Sequence, residues 1–182
     1  MTAGINQIQM AYKPEEDRIL FRVNTLAREE FRFWVTRRYA MICLKVLQDH
    51  LNRDPDISAQ QSIEAKTAVR EFKQEQAQQN ADYSRVFSSD AATYPLGEEP
   101  RLAFKLSYAF KGDLMTLTIE PETGQGISLV INRELNTSMT RLILSANRQA
   151  GWFIESSLEQ QGSPAGVSAD TIPQNGEVKI IN

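Results

Sequence analysis

The apolar residues of this chain change period at Thr36 and again at Asn132. Ahead of Thr36, Phe31, Phe33 and Val35 alternate with polar neighbours, as in a half-buried strand. Behind it, Tyr39, Ile42, Cys43, Val46 and Leu47 recur at the three- and four-residue spacing of a helix. Thr36 stands where an N-cap belongs, its hydroxyl able to accept from the first helical turn. Upstream, Ile8, Met10 and Tyr12 alternate, and so do Ile19, Phe21 and Val23. Between them KPEEDR (Lys13 to Arg18) reads as a turn, because Pro14 fixes φ and three neighbouring carboxylates resist burial. The pattern predicts an antiparallel meander of three strands, its apolar face covered by a helix from Thr36 to about Leu51. That helix ends in NRDPD, where Pro55 prevents continuation.

The same design returns 96 residues later. Phe104, Leu106 and Tyr108 alternate, then Met115, Leu117 and Ile119, then Ile127, Leu129 and Ile131. Asn132 is the second expected N-cap, followed by Leu135, Met139, Leu142, Ile143 and Ala146 at helical spacing. The shift aligns the apolar positions without a gap, Tyr12 on Tyr108 and Phe33 on Leu129. The expected fold class is α+β: two pseudo-repeated βββα units, each a three-stranded meander covered by its helix, joined by a long polar helix. That helix is read from Ser58 to about Phe87, with Ala65, Ala68, Val69 and Phe72 on one face. The expected organisation is 1–57 for the first unit, 58–100 for the polar helix and an extended connector, and 101–155 for the second unit. Both units are expected to share one compact domain. Residues 156–182, rich in Gly, Ser, Pro, Asn and Gln, read as a mobile tail in which Val178 to Ile181 could dock.

Composition narrows the classes. No apolar run approaches the ~20 residues needed to span a bilayer, and the N-terminus lacks the pattern of a signal peptide. The single cysteine, Cys43, precludes an intrachain disulfide. A cytoplasmic, reducing setting of bacterial type is expected, with no membrane partner. Net charge is −3, but residues 1–53 carry +3, 54–100 carry −5, 101–149 carry +2 and 150–182 carry −3. Both units are mildly basic, which leaves room for an anionic partner without demanding one.

Recognisable chemistry is sparse. One histidine, His50, and one cysteine on an apolar stripe cannot make a metal centre. Glu15, Glu16 and Asp17 read as an acidic turn. No serine sits in a G-x-S-x-G elbow, there is no P-loop, and Gly124-Gln125-Gly126 lies in an expected hairpin turn. No catalytic residue, metal site or cofactor is expected, and the reading leans away from an enzyme. Strand alternation places Arg18, Leu20, Arg22, Arg32 and Trp34 on the face away from the first helix. Such a face can hold phosphates and stack a base, but the preferred expectation packs Trp34 and Leu20 on the second unit, with Arg32 opposite Glu30-type charges at the rim. The matching positions of the second unit are Thr116, Thr118, Ser128 and Val130. Arg37 and Arg133 both open their helices, where the dipole disfavours cations, a placement that could serve an anion or a carboxylate across an interface. The candidate binding residues are Arg18, Arg22, Arg32, Trp34 and Arg37.

EEDRI (Glu15 to Ile19), FRFWVTRR (Phe31 to Arg38), ADYS (Ala81 to Ser84) and PLGEEP (Pro95 to Pro100) resemble a family of small uncharacterised proteobacterial proteins. The resemblance implies no site and no mechanism. In outline, a duplicated sheet-plus-helix plan is also similar to Whirly and PUR-repeat proteins, which bind single-stranded nucleic acid with four strands per unit. The preferred expectation is a non-enzymatic protein-interaction module with a protein partner or self-association. Single-stranded nucleic-acid binding is the alternative.

Overall fold

The computed structural model describes residues 4–80, 87, 88, 91–152 and 179–181. Strands β1 (Ile5–Lys13), β2 (Arg18–Thr25) and β3 (Glu30–Val35) form an antiparallel meander, and α1 (Arg37–Asn52) follows without a loop. Thr36 caps α1, its hydroxyl accepting from the Tyr39 amide. A one-turn helix, α2 (Pro55–Ser58), and then α3 (Ile63–Asn80) lead to a two-residue strand, β4 (Arg101–Leu102). The second meander is β5 (Lys105–Lys111), β6 (Leu114–Glu120) and β7 (Ile127–Ile131). It runs into α4 (Arg133–Ala150), capped by the Asn132 side chain on the Leu135 amide, and β8 (Lys179–Ile181) closes the order. The fold is mixed α+β with two sheets, ordered β1-β2-β3-β4 and β7-β6-β5-β8.

Each sheet therefore has four strands, one more than the alternation predicted. β4 runs parallel to β3, setting Trp34 beside Leu102, and β8 runs antiparallel to β5. Two or three residues carry too little periodicity to be read as strands. The expected tail lies outside the described residues except for Lys179–Ile181, which pair with β5.

The second hairpins of the two meanders share one register at the 96-residue shift. Ile19 faces Val35 and Phe21 faces Phe33, while Met115 faces Ile131 and Leu117 faces Leu129. The first hairpins do not. Tyr12 faces Ile19, whereas Phe110 faces Met115, because Pro14–Asp17 joins β1 to β2 and only Gly112–Asp113 joins β5 to β6. Phe110, not Tyr108, thus occupies the place of Tyr12, and the gapless alignment fails at this turn. At the other end of the second meander, Gly126 is held by close approach. A Cβ there would lie 2.0 Å from the Ile119 carbonyl oxygen.

The helices depart further from expectation. α4 packs chiefly on β1, in the first sheet, and the strand on which α1 packs most is β5, in the second. The end of α1 reaches the β5–β6 turn: His50 Nε2 lies 3.1 Å from the Asp113 carbonyl oxygen, and its ring stacks on Phe110 at 5.9 Å. The end of α4 reaches the β1–β2 turn. Gly151, left-handed at φ 63°, turns the chain so that Trp152 Nε1 donates to Asp17 Oδ1 at 3.2 Å. The Trp152 ring meets Tyr12 edge-on at 5.9 Å. Each helix is thus tied to the other meander. The expectation that each covers only its own is corrected, since a period fixes the apolar stripe but not the sheet that receives it.

One core results. Phe21, Phe33, Leu47, Leu117, Leu129 and Met139 belong to it, and all are buried. A cavity of about 10 Å³ lies where Met10, Ile19, Tyr39, Cys43, Ile119 and Met139 converge. It is apolar and near the lower limit for one water.

The connecting helix also differs. Ser58 closes α2, and α3 begins only at Ile63, with Ser62 Oγ accepting from the Ala65 amide at 3.0 Å. The apolar face read along it is not a buried one, since Ala68 is exposed and Phe72 is 65 % exposed. Charge ties it down instead: Lys73 pairs with Asp54 and Asp56, and Arg70 donates to Asn52. Residues 81–86, through which the helix was expected to continue, lie outside the described residues.

Candidate interaction face on the first sheet

Pairing across the first sheet sorts its outward side chains into rows. One row is Gln9, Arg22 and Arg32; the next is Ala11, Leu20, Trp34 and Leu102; the third begins with Lys13 and Arg18. Asn24 and Glu30 face each other at the far end. The alternation that buries Phe21, Phe33 and Val35 obliges all of these to point the other way.

Glu30 organises the arginine row. Arg22 Nε and Arg32 Nε donate to the same oxygen, Oε1, at 2.7 and 2.6 Å, and the Glu30 side chain is fully buried. Burial pushes its carboxyl upward, but the two guanidinium groups outweigh that and hold it below the ordinary carboxylate value. Its other oxygen has no hydrogen-bond partner among the described residues, and neither has the Asn24 side-chain oxygen Oδ1 opposite. Arg22 also donates to Gln9 Oε1 at 3.1 Å and lies 4.2 Å from the centre of the Phe87 ring. Arg32 donates to the Glu98 carbonyl at 2.9 Å and to the Tyr94 hydroxyl at 3.3 Å, with the Tyr94 ring 4.5 Å away. Ser88 bridges Asn24 and Gln7. The connector between α3 and β4 thus lies over this end of the face.

The apolar row is differently placed. Leu20 and Trp34 are half-buried and Leu102 is 41 % exposed. Leu20 and Trp34 stand on the side away from the shared core, and Trp34 lies beside Leu102, at the start of the segment read as the second unit. Beyond them Arg18 is half-exposed, 3.6 Å from Glu16, and Lys13 is exposed.

Of the five candidate residues, the sheet brings Arg18, Arg22, Arg32 and Trp34 to one face. Arg37, also exposed, opens α1 where β3 ends at that face's Arg18 edge. Its counterpart Arg133 meets carboxylates across an interface, Asp54 at 2.8 Å and Asp113 at 2.7 Å. Sequence reasoning sets Arg32 against Glu30-type charges, and the structure shows that pair; it missed Leu102, which carried no signal.

The second sheet's outward face is short and mostly uncharged. Thr118 and Ser128 hydroxyls share a hydrogen bond of 2.8 Å, and Lys105 pairs with Glu120 at 3.1 Å. Cys43 is buried and its thiol is pushed up to about 12, an inert group. Asn136 Nδ2 donates to His50 Nδ1 at 2.9 Å, so a neutral ring uses Nε2–H toward the Asp113 carbonyl. Among the described residues no group of three or more His, Cys, Asp or Glu is placed to hold a metal ion, and no helix is long and apolar enough to cross a membrane. Comparison with protein-family models, curated proteins and solved structures returns no match.

Proposed function

We propose that the chain is a non-enzymatic interaction protein and that the outward face of its first sheet receives another protein. The observation that carries this reading is the apolar row Ala11, Leu20, Trp34 and Leu102, which crosses every strand of the sheet without joining the core. A contiguous apolar strip on an otherwise charged face is the kind of surface that partners cover. The two βββα segments are, on the same proposal, a duplicated pair that has exchanged helices. The shared register of their second hairpins supports that, as do the paired tethers of His50 to the Asp113 turn and Trp152 to the Asp17 turn. Cytoplasmic residence belongs to this proposal too.

Site-specific photocrosslinking in cells tests the reading. A photoreactive residue at Leu20 is expected to give a discrete protein adduct, and one at Thr116 on the other sheet none. Nucleic-acid adducts from position 20, or no adduct, would contradict it.

A further inference from the structure

We infer that His50 is a proton-operated latch between α1 and α4: a proton taken up at its Nδ1 opens the crossing of the two helices at that end. Asn136 fixes the geometry. It is fully buried on α4, and its Nδ2 lies 2.9 Å from the Leu47 carbonyl oxygen of α1, which can only accept. Its Oδ1 takes the Thr140 hydroxyl at 3.3 Å. The group that faces His50 Nδ1 at 2.9 Å is therefore the amide N–H, and Nδ1 must be the bare nitrogen. On the far side of the ring Nε2 lies 3.1 Å from the Asp113 carbonyl oxygen, another acceptor, so Nε2 carries the hydrogen. Both ring nitrogens are thus assigned, and the neutral ring is the one that fits.

An imidazolium does not fit. Its Nδ1–H would point at the Asn136 N–H. Rotating the Asn136 amide to receive it would set Oδ1 against the Leu47 oxygen, and turning the ring over would offer C–H to both partners. Every way of keeping the second proton forfeits a hydrogen bond at a buried site, where an unmet polar group is costly. Charged and titratable neighbours come from each element around the ring. Arg53, just past α1, lies 4.1 Å from the centre of the Phe110 ring, on which His50 stacks. Asp113 belongs to the β5–β6 turn; Arg133, on α4, pairs with it at 2.7 Å and with Asp54 at 2.8 Å, and Lys73 of α3 also pairs with Asp54. β5 adds Tyr108, edge-on to Phe110, and α1 adds exposed Asp49. Hydrogen-bond direction opposes the second proton whatever these charges sum to. The matching tie at the opposite end, Trp152 to Asp17 beside Tyr12, contains no imidazole. Mild acid should therefore loosen one end of the molecule and leave the other closed.

The test is hydrogen exchange followed by nuclear magnetic resonance on the full chain, from pH 7.5 to 5. The ring is expected to titrate below its ordinary 6.5. Between 6.5 and that folded midpoint the open form binds one more proton than the closed form. The protection of the Leu51 and Thr140 backbone amides, corrected for intrinsic exchange, should then fall about tenfold per pH unit. The Asn136 side-chain amide signal should shift with the ring, while the Trp152 indole N–H holds its protection. The slope should be absent from His50→Gln, and the wild type carries the test even if that variant unfolds. A ring midpoint at or above the ordinary value, protection that is flat with pH, an equal loss at Trp152, or the same slope in a folded His50→Gln variant would overturn the inference.

Discussion

Glu30 is the residue on which the first sheet's outward face depends. Two arginines converge on one of its oxygens, and the carboxylate is fully buried beneath them. Removing its charge strands two half-buried cations, so Glu30→Gln should cost about 3 kcal/mol in urea unfolding, as broken buried pairs do. Its carboxyl is held below its ordinary value of 4.5 in the fold. The stability it supplies is therefore present above that value and lost as pH falls through the lower folded one. Glu30→Gln should flatten the wild-type loss of stability in that acid range. His50, the chain's one histidine, acts in a separate window. Burial lowers its pKa from 6.5, and Arg133 and Arg53 add to that, while Asp113 opposes it. Its contribution is present above 6.5 and is lost as pH falls toward the folded value, because protonation removes the acceptor that Asn136 uses. The urea midpoint should drop between pH 7 and 5 in the wild type and hold steadier in His50→Gln. In the core, Phe33→Ala and Leu129→Ala should each cost about 2–5 kcal/mol; an equal cost for exposed Val130→Ala would show that the buried face has been misread.

At the scale of elements, the strands and capped helices were legible because period and N-cap agree at Thr36 and Asn132. Their pairing across the molecule was not. Tyr39 and Cys43 reveal a stripe, but nothing in that stripe distinguishes β5 from the strands of its own meander. The polar connection was misread for a related reason: Ala65, Ala68, Val69 and Phe72 look like a packing face, yet α3 has no buried side chain among those described. Its tethers are ionic, with Asp54 drawing Lys73 and Arg133 together from distant parts of the chain. Burial favours the neutral form of Asp54, but Lys73 and Arg133 hold its pKa low. Amide exchange in α3 should therefore be faster than in α1 and α4, and faster again in ~1 M salt, which screens the exposed Lys73–Asp56 pair. Protection of α3 equal to that of α1, insensitive to salt, would contradict this.

For the whole molecule, the packing of α4 on β1 and of α1 on β5 makes one core of two meanders, so neither helix can leave without uncovering the other sheet. The same arrangement sends the rows built on Leu20 and Trp34 outward, where sequence alone allowed either packing between units or an open face. These two roles can be separated by substitution. On the proposed reading Arg22 and Arg32 serve stability through Glu30, whereas Leu20 and Trp34 serve recognition. The most direct measurement is the Leu20→Ser, Trp34→Ser double variant, assayed for its melting temperature and for binding of its protein partner, captured in cells by a photoreactive residue at Ala11 of the same row. A melting temperature close to that of the wild type with binding abolished is the predicted result. A markedly lower melting temperature with binding retained would place these side chains in the fold and not in the interface, and would contradict the account.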